Sequence, residues 1–353
     1  MTTVASRNRM RHRGRARSVL AVTLLIAGSS CAHRATLPLP RLDGGTATLK
    51  VAYVVNPRFP SMKAEQIRVV LAAARRGVKE NFGVDVEFLE PEEQSLKTLV
   101  DRVTSKDRSE WNDLIYDFKS GKGNRTQLTR GYAANFRGSE DSLDEMIAYA
   151  EPFLLAPLRE RSYQGFAEAV TATLVARLER LNSQKLRDGS DLIDRSPNNE
   201  VVFWAFIGRL SFPYDVVITN QLIASAEYVG SSVHTAIRGG ITNGITTLNP
   251  FSRYGTTAIV STYPLIGEDG VTRALRGDET YSEGDGARFA GSLLVHEIGH
   301  QLFHFGHPYG RRFCVMNPPE MLHFRRWVER LSPRDCPIGE SAAMKPGFDK
   351  FPL

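Results

Sequence analysis

Apolar and polar positions change period several times along this chain, and each change predicts an element. Thr48 to Val55 is a continuous apolar-rich run closed by Asn56-Pro57, which reads as a strand. From Met62 to about Asn81 the apolar residues Ile67, Val70, Leu71, Ala74 and Val78 recur at helical spacing, and Gly83 follows as a C-terminal stop. Val84 to Leu89 then alternates as a second strand. This β-α-β order predicts parallel pairing of the two strands.

Residues 91–200 are charged and helix-rich, with candidate helices over about 95–119, 141–154 and 158–183 and a Gly/Asn/Thr break over 121–139. Val170, Leu174, Leu178 and Leu181 form one buried stripe. The charges Arg159, Glu160, Arg161, Arg177, Glu179 and Arg180 read as the solvated remainder. Strand character returns at Tyr214 to Thr219. A hairpin-like stretch from Ala236 to Thr247 carries Gly239-Gly240 and Asn243-Gly244 as turn signals, and a further strand spans Tyr254 to Thr262. A Gly/Asp/Glu-rich loop covers 267–286. Ala287 to Phe303 is helical, with Phe289, Leu293, Leu294, Ile298 and Leu302 on its apolar side. The pattern predicts an α/β chain with a helical insertion at about 91–200.

The net charge of +6 does not change this picture, because residues 1–30 hold six Arg and no Asp, Glu or Lys, so the remainder is neutral. No nucleic-acid partner is expected. Those arginines precede a short apolar run, Val19 to Ala27, and small residues, which together read as an export signal over 1–31. Cys31 closes Leu25-Ile26-Ala27-Gly28-Ser29-Ser30-Cys31, which looks like a bacterial lipoprotein signal, although Gly28 stands where an aliphatic residue is usual. The expectation is an exported, cell-envelope protein anchored to the membrane through lipidated Cys31. Plain secretion is the alternative. Residues 32–47 read as a tether before a domain over 48–353. The remaining two cysteines, Cys314 and Cys336, suit a disulfide in an exported protein better than a zinc site, which needs about four ligands.

The chemistry concentrates at the end of the last helix. Four of the eight His lie between positions 296 and 307. His296 and His300, four apart, face the same side of a helix about 6 Å apart along its axis, and can share one zinc ion. Glu297 points beside that ion and suits a general base toward water. A third ligand is needed. On a continuing helix His304 would lie about 12 Å from His296, too far to share the ion. Gly306 and Pro308 favour a turn that brings His307 back. His304 and, farther on, Glu320 are the alternatives.

His296-Glu297-Ile298-Gly299-His300 with His307 and the later Cys314-Val315-Met316 resembles the metzincin clan of zinc peptidases, in which a turn carrying a Met lies beneath the metal. Met316 looks like that residue. Asp215-Val216-Val217, the glycines 240 and 244 and Ala258-Ile259-Val260-Ser261 are most similar to archaemetzincins, over about 210–336 and the start at 48–89. Phe303 stands where the family has Gly, and the third His comes one residue late. Pro308 replaces one Cys of the family's second, structural zinc site, so one zinc per chain is expected. A Cys314–Cys336 disulfide would then staple the Met turn to the C-terminal helix. The resemblance implies a zincin-like α+β fold with a twisted mixed sheet over the active-site helix. It also implies an edge strand, among 236–262, that pairs with an extended peptide or protein substrate. The expected activity is zinc-dependent metalloendopeptidase hydrolysis with Glu297 as base. The competing expectations are a catalytically silent zincin-fold binding module, against which intact Glu297 argues, and a zinc hydrolase of non-peptide amides.

Overall fold

A computed structural model describes residues 46–106, 109, 116, 124–139, 142–193, 212–224, 226, 237, 239–242, 254, 257–277, 279–303, 305, 307–308 and 311–336. The signal, residues 32–45 of the expected tether, Cys31, His304, Gly306 and Asn243-Gly244 lie outside the described residues, whereas Thr46 and Ala47, also expected as tether, belong to the first strand.

The strand expected over 48–55 is two strands, β1 (Thr46–Leu49) and β2 (Val51–Val55). Asp215 interrupts them: Lys50 N donates to Asp215 Oδ2 at 2.8 Å. Lys50 O in turn accepts from Asp215 N at 2.9 Å and Val216 N at 3.0 Å. Helix α1 (Ala64–Phe82) follows and ends where Gly83 takes φ 70° and donates its N–H to Lys79 O. Then β3 (Asp85–Phe88) pairs parallel with β1, and β4 (Glu92–Ser95) pairs parallel with β2. The β-α-β unit is present, with its first strand split in two and its second observed as β3.

Strand β4 falls inside the stretch expected to be helical. Its sequence, Glu-Glu-Gln-Ser, carries no apolar signal because it forms one margin of the sheet, where charged side chains remain in water. The five-stranded sheet continues from β4 and β2 to β5 (Val216–Thr219), β7 (Ala258–Ser261) and β6 (Gly240–Thr242). The first four run parallel. β6 pairs antiparallel with β7 and forms the other margin. Gly240 is thus a strand residue and not the turn that Gly239-Gly240 suggested. β5 and β7 are buried at every position, as strands covered on both faces must be.

The helical region is fuller in its middle than the pattern implied, and of the helix expected over about 95–119 the described residues show Leu96–Val100 and helical positions at 105–106 and 109. Helix α2 (Leu96–Val100) begins at Ser95, whose Oγ accepts from Lys97 N, and stops after five residues. The stretch expected as a break holds α3 (Arg125–Gly138), capped by Asn124 and burying Leu128, Tyr132, Ala133 and Phe136. Its polar composition masked a 3.6-residue stripe. Helices α4 (Leu143–Ala150) and α5 (Tyr163–Asn182) match the expected spans to within a few residues. Arg177, read as solvated, is buried. Its guanidinium donates to Phe153 O, and burial pulls its pKa down to about 10. Helices α3, α4 and α5 share one hydrophobic core with the main sheet, while Leu96 and Leu99 of α2 pack in a second cluster with Ala52, Val54, Val217 and Ile259.

After β7 come α6 (Tyr263–Ile266) and α7 (Gly270–Leu275). The latter lies in the expected loop, where Asp269 Oδ1 caps it by accepting from Val271 N and Thr272 N. The long helix α8 (Glu283–Phe303) runs between α1 and the sheet and buries most of its surface. It approaches α1 closely because glycines line the contact. A Cβ at Gly77 would stand 2.6 Å from Val295 Cγ2, and one at Gly291 would stand 2.8 Å from Val70 O. A short helix, α9 (Phe324–Arg330), and a 3-10 turn (Pro333–Asp335) complete the described chain. Among the described residues no helix is long and apolar enough to cross a membrane.

Candidate metal centre

His296 and His300 lie one turn apart near the C-terminal end of α8, as their spacing requires. The helix ends at Phe303, and the chain folds back at once, with Phe305 N donating to Gly299 O at 3.3 Å. An aromatic cluster holds this return. Phe303 and Phe305 stack at 5.5 Å, and Phe82, the last residue of α1, packs on both, at 5.1 and 5.8 Å. Phe303, which stands where the resemblance has a Gly, therefore anchors the turn through burial, and the helix ends before Gly306.

The turn delivers His307 to the pair on α8. The Nε2 atoms of His296 and His300 are 3.1 Å apart, those of His300 and His307 3.1 Å, and those of His307 and His296 3.2 Å. Among the described residues these three form the one group of His, Cys, Asp or Glu side chains with metal-ligand geometry. Glu320 is elsewhere, half-buried and 3.6 Å from Arg326.

Backbone carbonyls fix which nitrogen faces inward. His296 Nδ1 lies 2.8 Å from Val315 O, and His300 Nδ1 bonds Phe305 O. A carbonyl only accepts, so each Nδ1 carries the proton and each Nε2 of the neutral ring presents a lone pair. Burial pulls the His300 pKa down to about 4, with the Phe305 carbonyl opposing in part, so this ring is neutral at neutral pH. Lone pairs turned toward one another at this range repel unless a cation lies among them. Zinc–nitrogen bonds of about 2.0–2.1 Å in a tetrahedral arrangement separate ligand nitrogens by about 3.3–3.4 Å. The observed triangle fits such an ion closely, and its three imidazoles leave a fourth position open.

Glu297 is buried, with Oε1 4.0 Å from His296 Nε2. It lies against β6: a Cβ at Gly240 would overlap its Oε1. The carboxylate is thus held between the three histidines and the edge strand. Met316 is buried under the same helix, where a Cβ at Gly299 would overlap its Sδ and stand 3.0 Å from Phe82 Cζ. Cys314 and Cys336 are joined in a disulfide, with Cα atoms 4.5 Å apart. The bridge fixes the segment whose Val315 carbonyl orients His296.

The sequence pattern did not reveal Gly240 beside Glu297 or the two orienting carbonyls. Backbone acceptors leave no signature in residue type, and Gly240 was legible only as a turn signal. No family model, curated protein or solved structure matches the chain.

Proposed function

We propose that this chain is an exported zinc-dependent metallopeptidase, with His296, His300 and His307 holding the ion and Glu297 as the general base. The observation that carries this reading is the triangle of three Nε2 atoms, 3.1–3.2 Å on each side, with a buried carboxylate 4.0 Å from one corner. Zinc, when bound, supplies a Lewis acid that acidifies water and polarises a carbonyl. Glu297 accepts a proton from the attacking water and returns it to the leaving amine. Its burial between α8 and Gly240 keeps the carboxylate from swinging away. The outer margin of β6 offers main-chain groups to an extended peptide, so the scissile bond can lie along the strand beside Glu297.

The Met beneath the motif helix and the strand beside Glu297 at the sheet margin support this reading. The N-terminal segment with Cys31 supports export and lipid anchoring. Metal analysis of the purified chain tests the centre: about one zinc per chain is expected, and none in the wild type would overturn the reading.

A further inference from the structure

The Cys314–Cys336 bridge does more than steady Val315. Arg311-Arg312-Phe313 immediately precede one cysteine, and Arg334-Asp335 immediately precede the other. Ser332 N donates to Phe313 O at 2.8 Å, so the two segments run side by side. The bridge thereby gathers arginines that are far apart in sequence around one exposed aromatic ring, Phe313, which is 43% exposed.

Two adjoining concavities share Arg312 and Phe313 as a common wall. The first encloses about 570 Å³, open to solvent. Its aromatic walls are Tyr149, Phe313 and Trp327, and its cations are Arg312, Arg326 and Arg330. The second, about 710 Å³ and also open to solvent, adds Arg311 and Arg334. All five arginines are exposed. Among the described residues the opposing charges are Glu320, 3.6 Å from Arg326, and Asp335, which leaves an excess of three positive charges there. Arg311, Arg330 and Arg334 make no ion pair among the described residues. The floor is rigid: Trp327 Nε1 donates to Asn317 O at 3.0 Å and Tyr149 OH to Pro318 O at 3.1 Å.

We infer that this disulfide-clamped pocket binds a polypeptide segment carrying carboxylates beside apolar side chains. Guanidinium forks match carboxylates in geometry, and the aromatic walls offer burial to an apolar neighbour. The concavity sets aromatic walls beside cations, which suits a peptide offering both apolar and carboxylate side chains, and a lipid surface is the competing outcome of the test. That the pocket selects substrate rests on the peptidase reading. That it binds acidic segments does not.

The test uses the full chain carrying Glu297→Gln, so that binding is read without turnover. A fluorescently labelled peptide alternating Glu and Leu is titrated by anisotropy, beside a Lys–Leu peptide and vesicles of anionic phospholipid. The expected result is saturable binding of the Glu–Leu peptide that weakens with added salt. Arg312→Glu with Arg330→Glu should weaken it at least about tenfold, at unchanged circular dichroism and unchanged zinc content. Arg312→Lys with Arg330→Lys should keep part of the affinity, since charge remains and the fork is lost. Equal affinity for both peptides, or indifference to charge reversal, overturns the inference. Binding of vesicles without binding of the peptide overturns it in favour of a lipid surface. Loss of zinc from the Glu297→Gln chain with peptide binding intact counts against the peptidase reading alone.

Discussion

Gly240 on the edge strand and Glu297 on the motif helix touch so closely that a Cβ at position 240 would overlap Oε1 and stand 2.7 Å from Cδ. The strand backbone is therefore what aims the carboxylate. Gly240→Ala should displace Glu297 while leaving the three imidazoles in place. We expect peptide hydrolysis to fall by about tenfold or more, with zinc content unchanged. Steady-state kinetics beside metal analysis would check it.

Gly299 stands in the same relation to Met316. Adding a methyl group at 299 forces Sδ and the Phe82 ring apart, which should cost about 1–3 kcal/mol. Met316→Ala in the same chain makes room for that methyl group. The double variant should be less destabilised than the two single effects combined. Urea unfolding of the four proteins measures the coupling, and strict additivity would show that the two residues do not meet.

The third ligand separates cleanly from its competitor. His307→Ala removes one corner of the nitrogen triangle and should lower zinc affinity by at least about tenfold, whereas His304→Ala should leave it near that of the wild type. Competition against a chromogenic chelator gives both values.

The disulfide closes a loop with a sequence separation of 22 between its cysteines. Replacing both cysteines with Ser should cost about 3 kcal/mol of stability. It should also loosen the Val315 carbonyl that orients His296. A lower melting temperature together with weaker zinc binding is expected, both measurable on the same preparation.

The legible parts of this molecule are those in which a side chain's period or spacing does the work. The 62–81 helix and the strands at 214–219 and 254–262 showed themselves by apolar period. His296, Glu297 and His300 showed themselves by helical spacing. The missed parts follow from tertiary context. β4 is polar because it lies at the sheet margin. α3 and α7 are carried by the caps Asn124 and Asp269 inside stretches that read as a Gly/Asn/Thr break and a Gly/Asp/Glu-rich loop. Asp215 splits one strand through a hydrogen bond to a residue 165 positions away, which no local pattern contains. The aromatic cluster that returns His307 to the centre joins the end of α1 to residues more than 200 positions later and is equally invisible to spacing.

The central claim is hydrolysis of peptide bonds with Glu297 as base, and one comparison tests it most directly. A mixed peptide library is incubated with zinc-loaded wild type and with zinc-loaded Glu297→Ala, and new termini are read by mass spectrometry. The account predicts cleavage by the wild type and loss of cleavage by Glu297→Ala at equal zinc content. Cleavage that survives in Glu297→Ala, or a zinc-loaded wild type that cuts no peptide, would contradict it.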